Sequence, residues 1–173
     1  MKSQTRNNQI LSAMALLVLL AISASACSFS TTSVGPVTQT VEISIDQEQF
    51  DQAFPQSRVH MDGPYNRLLD KVTAVEIHDG FIRYIGTKTL ADGSQAQGSF
   101  DLSVGAQNDM LKARIVAVDI PGVDLNDARI LKANAEMEAE LAKMLTDSSA
   151  QVLFKEVKAT EGNLRLKLVV HID

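Results

Sequence analysis

The sequence predicts an α+β domain: a curved antiparallel sheet of about seven strands wrapped around one long amphipathic helix, with one or two short helices. Three observations point there. Asp79-Gly80 stands between two strand-like runs, 72–78 and 81–89, which is a strong signal for a two-residue hairpin turn. Most of the remaining segments after residue 37 alternate apolar and polar residues with the period of a half-buried strand. One segment, 127–146, instead repeats at helical spacing and carries an apolar stripe that must be buried; the concave face of a bent sheet is the simplest place.

In chain order, 37–45 alternates, with Val41, Ile43 and Ile45 against Thr40, Glu42 and Ser44. Asp46 followed by Gln49 resembles a capping box, and Phe50, Ala53 and Phe54 share one face of the short helix it opens, which Pro55 closes. Residues 56–66 are irregular, with one more helical turn expected over 65–69. In the hairpin, Ile77 faces Ile82, Val75 faces Tyr84, and Glu76 meets Arg83 as an opposite-charge pair. Asp92-Gly93 marks a second reversal, followed by a strand over 98–104 with Phe100, Leu102 and Val104 on one face. The strand over 110–120 changes parity at Ile115–Val116, which predicts a bulge or cover on both faces, and Pro121-Gly122 ends it.

The long helix has Asp124 or Asn126 as its expected cap and spans ~30 Å. Its apolar stripe is Ile130, Met137, Leu141, Met144 and Leu145, with Leu131 adjacent and Asn134 inside the stripe. A strand over 151–160 changes parity between Phe154 and Val157. The last strand, 164–172, puts Leu164, Leu166, Leu168, Val170 and Ile172 on one face, after a turn at Glu161-Gly162-Asn163.

The N-terminus is read as an export signal. Residues 1–9 hold Lys2, Arg6 and no acid; 10–22 are apolar except for Ser12; small residues Ala24, Ser25 and Ala26 precede Cys27. The apolar run is shorter than the ~20 residues of a spanning helix, although a retained, tilted anchor is the other reading. Cys27 is the only cysteine, and its position resembles the lipobox of bacterial lipoproteins, in which the cysteine is acylated and becomes the mature N-terminus. Ala24 stands where that pattern usually has Leu, and Ala24-Ser25-Ala26 also fits ordinary secretion, which would leave one free thiol. The expected organisation is a signal peptide over 1–26, a lipidated cysteine and flexible tether over 27–36, and one α+β domain over 37–173. Extended, the tether reaches ~30 Å.

Composition narrows the function classes. The 173 residues carry a formal charge of −5, and both charges in the first 26 residues are positive, so the remainder is more acidic still. This acidic balance, with no Trp and only Tyr65 and Tyr84, argues against a nucleic-acid binder and against a broad electrostatic grip on anionic headgroups. No G-x-S-x-G, H-E-x-x-H or phosphate-loop pattern occurs, and His60, His78 and His171 are far apart in sequence. A triad assembled in space stays open. Asp119, Asp124, Asn126 and Asp127 are oxygen-rich but lack the spacing of a calcium loop. No catalytic residue, metal or cofactor is expected.

Asn134 requires a hydrogen-bond partner, either a strand edge or a polar contact in a ligand tunnel. Met137 and Met144, seven residues apart, suit either core packing or an adaptable apolar ligand. The order of elements, from the strand and short helix at 41–54 through the Asp-Gly hairpin to the long helix with Asn134 and the final strand pair, resembles the tubular lipid-binding (TULIP) superfamily in its small bacterial cell-envelope form. The resemblance spans 41–172 and rests on order and patterning. It implies a non-catalytic carrier or sensor whose groove holds the acyl chains of a phospholipid or fatty acid, lined by Phe50, Phe54, Leu131, Asn134, Met137, Leu141 and Met144. Two functional expectations result: a membrane-tethered lipid-binding lipoprotein of the cell envelope, or a structural or interaction lipoprotein with a filled core.

Overall fold

The computed structural model describes residues 37–53, 68–146 and 151–172. Its strands are β1 (Val37–Asp46), β2 (Lys71–His78), β3 (Phe81–Thr89), β4 (Gln95–Gln107), β5 (Met110–Asp119), β6 (Gln151–Thr160) and β7 (Asn163–Ile172). Two helices interrupt them: α1 (Gln47–Ala53) before β2, and α2 (Ala128–Thr146) between β5 and β6. Every strand pairing is antiparallel.

The α+β class and the seven strands match the expectation, but the strands divide into two sheets rather than one. One sheet has the order β1-β7-β6, the other β2-β3-β4-β5. The division follows from how β6 meets the second sheet. β6 touches the second sheet through its turns: Gly80 N–H donates to Ala159 O at 3.1 Å, and Phe154 N–H donates to Asp109 O at 2.9 Å. These two turns lie at the same end of the second sheet, so β6 runs across its strands instead of extending its ladder. Helix α2 packs along β5, an edge strand, and among the described residues no sheet wraps around it.

The inner faces meet in one core. Ile77, Ile82, Phe100, Leu102 and Ile115 come from the second sheet, and Phe154, Val157, Leu164 and Leu168 from the first. Tyr84 stacks on Phe100 with centroids 4.9 Å apart and rings 9° from parallel, and burial pushes its phenol up to about 12. Leu68 and Leu69, buried, cover the same core just before β2.

Local rules hold well. The β2–β3 register has Ile77 opposite Ile82, Val75 opposite Tyr84 and Glu76 opposite Arg83. Gly80, at φ 85°, supplies the left-handed turn position that the Asp-Gly pair predicts. The parity change in β5 is a bulge: Asp101 pairs with Ala117 and Leu102 with Ile115, leaving Val116 as the extra residue. The change in β6 is a bulge at Lys155. The capping box closes reciprocally: Asp46 N–H donates to Gln49 Oε1 at 3.1 Å, and Gln49 N–H donates to Asp46 Oδ1 at 2.8 Å.

Two local expectations are corrected. The cap of α2 is Asp127, whose Oδ1 accepts from Arg129 N–H at 2.9 Å; Asp124 instead accepts from Asn126 N–H in the turn before it. Arg83 stands opposite Glu76 as expected, but its hydrogen bonds go elsewhere. Its guanidinium forks onto Asp101 on the other neighbouring strand, at 2.7 and 2.9 Å, because a buried carboxylate needs a bidentate donor more than an exposed one does. Glu76 turns to His78.

Candidate functional site

The described residues among those singled out for a groove lie on two helices at opposite edges of the second sheet. Helix α1 packs against β1 and β2, and Phe50 enters the core from that side. Helix α2 packs on β5, where Met137 is buried, Leu141 is half-buried against the core and Leu131 is 54% exposed on the outward side. Phe54, and the side chain of Met144, lie outside the described residues, as do Ala24, Ala26 and Cys27. Phe50 and Met137 thus contribute to one core from opposite edges.

Asn134 has a partner. Its Oδ1 accepts from Ile115 N–H at 2.8 Å, closing an amide on the free edge of β5. At the opposite edge Gln47 does the same for β2, which the sequence reading missed. Its Nε2 donates to Val75 O at 2.8 Å and its Oε1 accepts from Ile77 N–H at 2.8 Å, imitating a neighbouring strand. Its position just after the capping Asp46 makes Gln47 look like an ordinary polar first-turn residue, and no local signal marks it. Replacing Asn134 with Ala is expected to cost about 1 kcal/mol by stranding the Ile115 amide, while Asn134→Asp, which keeps an acceptor, costs less. Urea midpoints of the two variants check the order.

Two concavities stand on the surface of the described residues. One, of about 350 Å³, lies over the end of the β4–β5 hairpin between Ser103, Gln107, Lys112 and Arg114. The other, of about 410 Å³, lies on the first sheet between Glu42, Ser44, Glu156, Arg165 and Lys167. Both open to solvent and carry charged side chains. Among the described residues no group of three or more His, Cys, Asp or Glu is placed to hold a metal ion, and no helix is long and apolar enough to cross a membrane.

A polar cluster joins two hairpin turns. Gly162 N–H donates to Ile77 O at 2.8 Å, Glu161 N–H to Asp79 Oδ1 at 3.2 Å, and Gln47 N–H to Gly162 O at 2.9 Å. His78 sits across this junction with Nε2 at 3.1 Å from Glu76 and Nδ1 at 3.3 Å from Glu161, its ring 5.1 Å from Phe81. The Glu76 hydrogen bond, more than Glu161, raises the His78 pKa above its ordinary value against the opposing effect of burial. A raised folded-state pKa stabilises the fold fully below the unfolded value near 6.5, and that contribution is lost as pH rises through the folded value. With exposed carboxylate partners the effect stays below about 1 kcal/mol. Urea midpoints of the wild type are therefore expected to fall more than those of His78→Gln between pH 5.5 and pH 8.5, a window chosen around the reference histidine value of about 6.5.

Comparison with known proteins gives no match: no family model, curated protein or solved structure is significantly similar to the chain. The described residues define a class by architecture alone, an α+β domain in which two antiparallel sheets share one core and side-chain amides close the outer edges of the four-stranded sheet.

Proposed function

We propose that this chain is an exported, membrane-tethered, non-catalytic lipoprotein of the bacterial cell envelope, whose filled domain is held off the membrane to engage a protein. The tether rests on the sequence pattern around Cys27. One observation carries the choice between a filled and a hollow domain. The α2 face bearing Asn134 is committed to β5, with Ile130, Ala133 and Met137 sunk in the core that both sheets share. A groove for acyl chains would need that same face.

The second reading is a lipid carrier, in which a curved sheet closes around α2 in the ligand-bound state. It is favoured by the apolar side chains exposed at this edge, Val116, Leu125 and Leu131, and by half-buried Leu141. Buried acyl chains would contribute ~0.8 kcal/mol per CH₂. Native mass spectrometry of the gently purified protein, with lipid extraction, separates the two. A mass without lipid and no uptake of added phospholipid or fatty acid is expected. Lipid at near-stoichiometric amount would overturn the filled-core reading in favour of the carrier.

A further inference from the structure

Strand β1 is an outer strand of the three-stranded sheet, and its ladder to β7 runs from Val37–Ile172 to Asp46–Asn163 without a register shift. The bond from Gln47 N–H to Gly162 O extends the same register. Alternation of an antiparallel ladder then turns the odd-numbered residues of β1 toward β7 and the even-numbered ones outward. Of the outward amides, that of Asp46 is closed by Gln49. Among the described residues nothing bonds the outward backbone groups of Thr38, Thr40, Glu42 and Ser44.

The other sheet edges are blunted. β2 has the Gln47 side chain and a bulge at Thr73; β5 has Asn134 and the Val116 bulge; β6 has the two turn bonds and the Lys155 bulge. Natural edges avoid open pairing by such devices, together with lysine and proline. β1, with the sequence VTQTVEISID, has no bulge, lysine or proline and is rich in strand-forming residues.

We infer that β1 pairs antiparallel with β1 of a second copy of this chain, about a twofold axis at Val41, to make one continuous six-stranded sheet. The sequence of β1 fits this occupant, because with the axis at Val41 the four open positions pair among themselves and no two carboxylates meet. In that register Thr38 faces the partner's Ser44 and Thr40 faces the partner's Glu42, so all four outward residues are used. A shift of the axis to Glu42 would set two carboxylates opposite each other, and a shift to Thr40 would leave Ser44 unpaired. Glu42 is neutralised within its own chain by Lys167 at 3.0 Å, so the seam carries compensated charge despite the acidic balance of the protein. On the inner face, half-buried Val41 and Ile43 gain cover against the partner strand. The pairing does not depend on whether the interior holds lipid.

The test is sedimentation equilibrium of the full chain in density-matched detergent, with Thr40→Pro as the variant. Thr40 N–H points away from β7, so proline there removes nothing from the chain's own ladder. A dimer is expected for the wild type, with its dissociation constant raised about thirtyfold in Thr40→Pro by the two symmetric bonds lost. Amide exchange on the wild type gives a reading independent of the variant's folding. Thr40, Glu42 and Ser44 should gain protection with concentration, whereas Val41 and Ile43 should be protected throughout. A wild type that stays monomeric with these three amides exchanging fast at every concentration overturns the pairing. So does a folded Thr40→Pro that dimerises as tightly as the wild type, or protection that appears only with a different protein.

Discussion

Replacing Gly86 with alanine is expected to lower the unfolding free energy by about 3 kcal/mol, while the same change at Gly105 alters it by less than about 0.5 kcal/mol. The contrast follows from what surrounds each glycine. β2 carries an extra residue, Thr73, between Val72 and Ala74, and the bulge brings the carbonyl of Lys71 over β3. A Cβ on Gly86 would overlap that carbonyl oxygen and stand 3.0 Å from its carbon and 3.1 Å from Val72 Cα. These obstacles are backbone, so no rotamer change relieves them. Gly98, the cross-strand partner of Gly86, is confined in the same way by Ile120 Cγ1 at 2.8 Å and Asp119 O at 3.0 Å. The glycine pair thus lets the start of β2 and the segment after β5 close over this end of the sheet. Gly105 lies on β4 with nothing within 4 Å of a built Cβ. Urea unfolding of the two variants should show a large fall in midpoint for Gly86→Ala alone, with unchanged slope. Equal midpoints would mean that the bulge does not press on β3.

How much of this was legible in the sequence depends on the distance over which each feature is decided. The hairpin register, the capping box and the bulges at Val116 and Lys155 are decided by neighbours along the chain or one strand away, and alternation plus Asp79-Gly80 suffices to read them. Alternation reports which residues share a face but not which face packs on which. The same pattern therefore fits one bent sheet around α2 and two sheets sharing a core. What decides between them is the crossing of β6 over the turns at Gly80 and Asp109, a contact made across many residues of sequence. The roles of Asn134 and Gln47 were half legible and illegible respectively. Asn134 stands out because it interrupts an apolar stripe, whereas Gln47 sits among polar neighbours and acquires its role only when β2 arrives beside it. The lipidation pattern at Cys27 is purely sequential and lies outside the described residues.

Asp101 is the buried acid of the structure's described core region, and it makes Arg83 the side chain whose loss on the polar face of the second sheet should matter most. The expected cost of Arg83→Met is about 2 kcal/mol, below the 3–5 kcal/mol typical of breaking a fully buried pair because the guanidinium side is 39% exposed. The loss has three sources: the forked bonds at 2.7 and 2.9 Å, the stacking of Arg83 over Phe81 at 5.2 Å, and the carboxylate left behind without a counter-charge. Glu76 and Asp119 also interact electrostatically with the same guanidinium, so its removal leaves their charge less compensated. Asp101→Asn should cost less, about 1 kcal/mol, since the arginine it abandons can turn to water. Arg83→Lys should fall between the two, because an ammonium keeps the charge but cannot satisfy both carboxylate oxygens in the plane of the fork. The order Met, then Lys, then Asn in decreasing loss is the diagnostic. A purely packing role for Arg83 would make Lys nearly harmless, and a purely coulombic one would make Asp101→Asn and Arg83→Met alike.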